Sequence, residues 1–157
     1  MKEASISLLA AVLAVALLSA CGSDDESTVV KTVTKPPPHP LHLTQFQSPT
    51  HNIGCYLSSQ QGGSVRCDIR EHAWTAPPKP AYCDVDWGGG LQVGSKRRGS
   101  IVCAGDTVLD PGSQVLAYGQ ASEAGPIVCR SSEVGVRCSN ILTGHGFIVS
   151  RQSYALF

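Results

Sequence analysis

Six cysteines, at positions 55, 67, 83, 103, 129 and 138, carry the clearest chemistry in this chain, and a seventh, Cys21, stands apart near the amino terminus. An even set in an exported chain reads as a disulfide framework. There is no CxxC and no histidine pair at finger spacing, which argues against zinc-ribbon and thioredoxin-type sites. A fully oxidised set also leaves no thiolate for nucleophilic catalysis. Asp84 and Asp86 lie two apart and would share one face of a strand. Such a pair can exchange protons or hold Ca²⁺, although a solvated strand face is the simpler reading. The domain histidines are His51, His72 and His145, the last between two glycines, and no spacing joins any of them to a nucleophile. G-x-S-x-G is absent, so a Ser-His-Asp triad has no support. Trp74 and Trp87 read most simply as core or lid residues, and otherwise as aromatic anchors near these polar groups. Trp74, Asp84, Asp86, Trp87 and His145 therefore form the candidate binding patch, provided the fold brings them together. No catalytic residue, metal ligand or cofactor is assigned.

The elements that must position these residues are short strands. Ile53, Cys55 and Leu57 alternate with Gly54 and Tyr56, and after a polar loop Val65, Cys67 and Ile69 alternate with Arg66, Asp68 and Arg70. Cys83, Val85 and Trp87 alternate with the two aspartates, and three glycines, 88 to 90, are expected to end that strand. Leu91 and Val93 continue in apolar phase, Lys96-Arg97-Arg98 marks a basic tip, and Ile101-Val102-Cys103 returns. That tip could touch lipid phosphate or an anionic wall polymer, or could simply charge a sheet edge against pairing. Pro77-Pro78-Lys79-Pro80 rules out a regular helix in its segment. Asp110-Pro111-Gly112 is a turn, and Val115 to Tyr118 is expected as a short strand. Thr143-Gly144-His145-Gly146 is another turn, followed by a closing strand from Phe147 to Ser150 and an apolar end.

The last third mirrors the first. Ile127-Val128-Cys129, a loop and Val136-Arg137-Cys138 match Ile53-Gly54-Cys55, a loop and Val65-Arg66-Cys67. Asn140-Ile141 is aligned with Asp68-Ile69, and Ile101-Val102-Cys103 reads as a third copy of the leading half. These strand phases favour the sequential pairing Cys55–Cys67, Cys83–Cys103 and Cys129–Cys138 among the 15 connectivities that six cysteines allow. No segment keeps a helical period over three turns. The fold class is all-β: a small disulfide-stabilised domain of short antiparallel hairpins, barrel or sandwich, with a possible internal repeat.

The run from Ile6 to Ala20 is uncharged and apolar or small throughout. It is shorter than the roughly 20 residues of a membrane-spanning helix and suits an export signal. Its end, Leu18-Ser19-Ala20-Cys21 followed by Gly22, resembles the lipobox of bacterial lipoproteins. The resemblance implies cleavage before Cys21, a diacylglyceryl group on its thiol and an acyl chain such as palmitate on its new amino terminus. Two or more chains anchor stably where one does not. Residues 1–20 are then the signal peptide. Residues 21–45 form a lipidated, Pro-rich flexible tether with Pro36-Pro37-Pro38 and Pro40, and residues 46–157 form the six-cysteine domain.

FQSPTHNIGC (46–55), VRCDI (65–69), DWG (86–88), CAGDT (103–107), GVRC (135–138), TGHGF (143–147) and SRQSYALF (150–157) resemble an uncharacterised family of actinobacterial exported domains. The resemblance covers the whole domain and all six cysteines, and implies an exported, often lipid-anchored protein without implying an activity. His51 departs from it, since glycine is expected in SPTGNI. Across residues 46–157 nine Lys+Arg stand against eight Asp+Glu, a net charge of +1. No global field points to nucleic acid, so a local patch is favoured over broad electrostatic capture. The expected protein is lipid-anchored through Cys21 at the extracytoplasmic face of the cell membrane. It is read as a non-catalytic binding domain for an envelope protein, glycan or small ligand, with a small secreted hydrolase as the alternative.

Overall fold

The computed structural model describes residues 39–157, so the expected export signal, Cys21 and most of the expected tether lie outside the described residues. Ten strands form: β1 (Gln45–Gln47), β2 (Ile53–Ser58), β3 (Ser64–Ile69), β4 (Trp87–Val93), β5 (Ser100–Cys103), β6 (Ala121–Ala124), β7 (Ile127–Ser132), β8 (Gly135–Asn140), β9 (Gly146–Val149) and β10 (Tyr154–Leu156). They make two antiparallel sheets of five, ordered β1-β2-β3-β4-β5 and β10-β9-β8-β7-β6. Each sheet is a simple meander in which chain neighbours pair, and neither closes into a barrel. Helical structure among the described residues is one 3₁₀ turn, Gln60–Gly62, and no helix there is long and apolar enough to cross a membrane.

Alternation drives the packing. Cys55 and Leu57 of β2, Val65 and Cys67 of β3, and Leu91 and Val93 of β4 are buried on one face. Ile127 and Cys129 of β7, Val136 and Cys138 of β8, and Phe147 and Val149 of β9 do the same in the second sheet. These faces meet in one core. Cys55–Cys67 and Cys129–Cys138 are cross-strand disulfides in directly opposed register, each with Cα atoms 4.1 Å apart. They touch at the centre, where Cys67 Sγ lies 3.7 Å from Cys138 Sγ. The third disulfide, Cys83–Cys103, sits away from that centre and ties the segment before β4 to the end of β5.

The internal repeat extends beyond the two cysteine hairpins to the whole meander. Cys67 pairs with Leu91, and Cys138 pairs with Phe147. Gly90 and Gly146 precede those partners, and a Cβ on either would overlap the carbonyl oxygen of Cys67 or Cys138 respectively. The register also corrects the alignment made from sequence. Ile53 faces Ile69 and Ile127 faces Asn140, so Asp68 corresponds to Ser139 and Ile69 to Asn140. Ile101-Val102-Cys103 is not a third copy: it lies in the edge strand β5, paired only with β4.

Two further expectations fail for local reasons. Gly88, Gly89 and Gly90 do not end a strand; they lie within β4. Gly88 has φ +95°, and the register slips between Trp87 and Leu91, so these glycines form a bulge. Asp84 and Asp86 consequently precede the strand and do not share a pleated face. Of the strand expected at Val115 to Tyr118, only an isolated bridge between Val115 and Gln47 forms. Sheet pairing also begins ahead of Phe46, since Leu41 bridges Ser122 on the edge of the second sheet.

Candidate ligand cleft

A cleft of about 570 Å³ opens where the β1–β2 turn of one sheet faces the β7–β8 and β9–β10 turns of the other. Its first wall is built from Ser48 outward. The His51 N–H donates to the Ser48 carbonyl over 2.8 Å, and the Ile53 N–H donates to Ser48 Oγ over 3.1 Å. This tight turn places His51 at φ +56°, in the left-handed region. Histidine enters that region more readily than most non-glycine residues but still carries strain there. The structure thereby explains why glycine is expected at this position.

Gln47 fixes the His51 ring. Its side chain is buried, and its amide nitrogen donates to the carbonyls of Pro111 (3.1 Å) and Ser113 (2.7 Å). Both amide hydrogens are thus committed, and Oε1 is left as an acceptor. It lies 2.8 Å from His51 Nδ1, so the neutral imidazole carries its proton on Nδ1 and keeps the Nε2 lone pair. Arg70 Nε donates to the His51 carbonyl over 3.0 Å, and Asn52 exchanges two hydrogen bonds with the Glu71 backbone. On the opposite wall, Ser150 Oγ donates to the Ser153 carbonyl and accepts from the Ser153 N–H. Arg151 Nη2 reaches across to Glu71 Oε2 at 3.1 Å and joins the two walls. Glu133 and Tyr118 complete a lining that carries both charges.

The candidate patch residues lie elsewhere. Trp74 is half-buried, stacks on His72 with ring centroids 3.7 Å apart, and packs on Tyr154 at 4.7 Å. Its Nε1 donates to the Ser150 carbonyl, while that of Trp87 donates to the Pro77 carbonyl. Both indoles therefore clasp the Pro-rich segment and the β9–β10 turn against the core edge rather than standing free. Trp87 opens β4, and Asp84 and Asp86 are exposed just before it. His145 sits at the β8–β9 turn, beside Gly146, which packs against Gly99 at the far end of the β4–β5 hairpin. Roughly five strand residues, on the order of 15 Å, separate it from Trp87. Trp74 and Trp87 thus flank the same Pro-rich segment, with Asp84 and Asp86 just before Trp87, while His145 lies toward the other end of the β4–β5 hairpin.

Sequence reasoning passed over Gln47, Arg70, Glu133 and Arg151. The one signal it held was His51 in a glycine position. Residues 42–157 match the family of unknown function DUF6636, and the chain belongs to that family. No curated protein matches the chain, and no solved structure does.

Proposed function

We propose that this member of DUF6636 is an extracytoplasmic binding domain, held at the membrane by lipid on Cys21, whose ligand site is the His51 cleft. The observation that carries the reading is a cleft of ligand-pocket size, about 570 Å³, shared by both sheets, with an imidazole of fixed tautomer in its wall. The expected ligand is small and polar. It offers a donor to His51 Nε2 and an acceptor to the Arg70 guanidinium. The hydrolase reading draws on the same histidine, because a neutral ring oriented by Gln47 is suited to act as a base. Among the described residues, however, no hydroxyl or thiol is hydrogen-bonded to Nε2.

Two measurements test this reading. A panel of amino acids, short peptides, esters and wall sugars is titrated while amide shifts are followed. Perturbations should cluster on residues 47–53, 70–71 and 132–136, and His51→Gly or Arg70→Gln should weaken binding about tenfold. His51→Gly relieves the positive φ, so stability should hold or rise slightly. Perturbations that map elsewhere, or that ignore both variants, would sink the cleft assignment; turnover abolished by His51→Gly would select the hydrolase instead. For the anchor, Cys21→Ala should leave the protein without its lipid mass shift and out of the detergent phase. Retention of both by the variant would overturn the lipidation.

A further inference from the structure

We infer that the outer face of the first sheet is a docking groove for an acidic glycan, a second site separate from the His51 cleft and independent of it. The groove encloses about 1060 Å³. Arg66, Lys96, Arg97 and Arg98 line it together with Tyr56 and Tyr82, and no aspartate or glutamate does. In a chain whose 12 basic and 12 acidic residues balance, this is a marked segregation of charge.

The register explains the groove. Tyr56 pairs with Arg66, Arg66 with Gln92, and Gln92 with Ser100, so one outward row crosses β2, β3, β4 and β5. At about 4.8 Å per strand the row runs roughly 14 Å. It offers a ring face, a guanidinium, an amide and a hydroxyl in line. Arg66 is already matched, to Asp68 and Asp106, and acts as a fixed post. Lys96, Arg97 and Arg98 have no carboxylate within ion-pair distance among the described residues. Tyr56 and Tyr82 are 49% and 78% exposed.

This combination selects the ligand. Tyrosine faces suit the apolar faces of sugar rings, the amide and hydroxyl suit sugar hydroxyls, and the three free cations suit carboxylate substituents. A bilayer would call for exposed apolar side chains, whereas Val65, Val93 and Ile101 in this lining are turned into the core. A nucleic acid would call for cations along the length of the row, whereas here they gather at its end.

The test uses the oxidised chain with Cys21→Ala, which carries no acyl chain to insert into vesicles and needs no detergent, and four probes: polygalacturonate, its methyl ester, phosphatidylglycerol vesicles and a single-stranded oligonucleotide. Polygalacturonate should bind in a salt-sensitive manner, and the ester should bind far more weakly. The combined Lys96→Gln, Arg97→Gln and Arg98→Gln variant should lose about tenfold in affinity. Tyr82→Ala should lose several-fold with an unchanged thermal midpoint, a readout that diffuse charge attraction would not move. Arg66 is left intact because it anchors a loop. The inference is overturned if polygalacturonate does not bind or if the triple variant binds it equally well. It is likewise overturned if Tyr82→Ala has no effect, or if vesicles or the oligonucleotide bind while polygalacturonate does not.

Discussion

Reduction of the three disulfides is expected to unfold the domain at temperatures where the oxidised form is native. The crosslinks span 12, 20 and 9 residues. In the chain-entropy picture each removes about 3 kcal/mol of freedom from the unfolded state, or about 9 kcal/mol together. A domain of this size has about 5–15 kcal/mol of stability in total. Reduction should also proceed in order. Cys55, Cys67, Cys129 and Cys138 are inaccessible in the core, while Cys103 is partly open, so Cys83–Cys103 should yield first. The two central disulfides should then open together with the fold. Tryptophan fluorescence followed by quenched alkylation and peptide mapping would resolve the sequence. A fully reduced chain that keeps the oxidised thermal midpoint would defeat the argument, as would loss of the central pair before Cys83–Cys103.

Why the disulfides were readable and the cleft was not comes down to the range of the signals. Pairing needs only the phase of two adjacent strands, and Cys55, Cys67, Cys129 and Cys138 all sit on buried positions of regular alternation. The repeat was legible for the same reason, yet its fuller form was missed. Gly88-Gly89-Gly90-Leu91-Gln92-Val93 corresponds to Gly144-His145-Gly146-Phe147-Ile148-Val149, with Gly88 and Gly144 both at positive φ. Treating glycine only as punctuation hid this, because a bulge and a strand end carry the same local signature. The cleft depends on something no local pattern holds. Gln47 finds its carbonyl partners in Pro111 and Ser113, more than sixty residues away, and the opposite wall comes from the second sheet. Likewise, sequence leaves the tryptophans open between core or lid residues and ligand anchors, and only the long-range partners of their indole nitrogens, Ser150 and Pro77, decide it.

Replacing Asp68 by alanine is expected to cost about 2–4 kcal/mol, the largest loss from any single polar side chain here. Asp68 points to the outer face of the first sheet and yet is 4% exposed, because a loop lies over it. The row Gly54–Asp68–Gly90 makes room for that loop, with Leu109 resting on Gly54. The carboxylate accepts from Arg66 Nε and Nη2 at 2.8 Å each, and from Thr107 Oγ1 and the Val108 N–H at 3.0 Å each. Alanine would leave Arg66 Nε, Thr107 Oγ1 and the Val108 N–H without this acceptor, with Arg66 Nη2 keeping only the Asp106 carbonyl, and would loosen residues 104–110, which carry Cys103's connection toward the cleft residues Pro111 and Tyr118. Asp68→Asn keeps one acceptor and should lose less. Asp106 forms the outer half of the clamp, and its carboxyl is held below the ordinary 3.8 by the Arg66 hydrogen bond and then by its charge. A depressed carboxyl contributes stability above its unfolded value and loses it as the pH falls through its folded one. Its share should therefore persist from neutrality to the ordinary carboxylate range and fade only below it, a fading that Asp106→Asn abolishes. Denaturant titrations of these variants against pH, with limited proteolysis of the loop, provide the check. An Asp68→Ala midpoint within about 0.5 kcal/mol of wild type would show that the loop is held by packing alone.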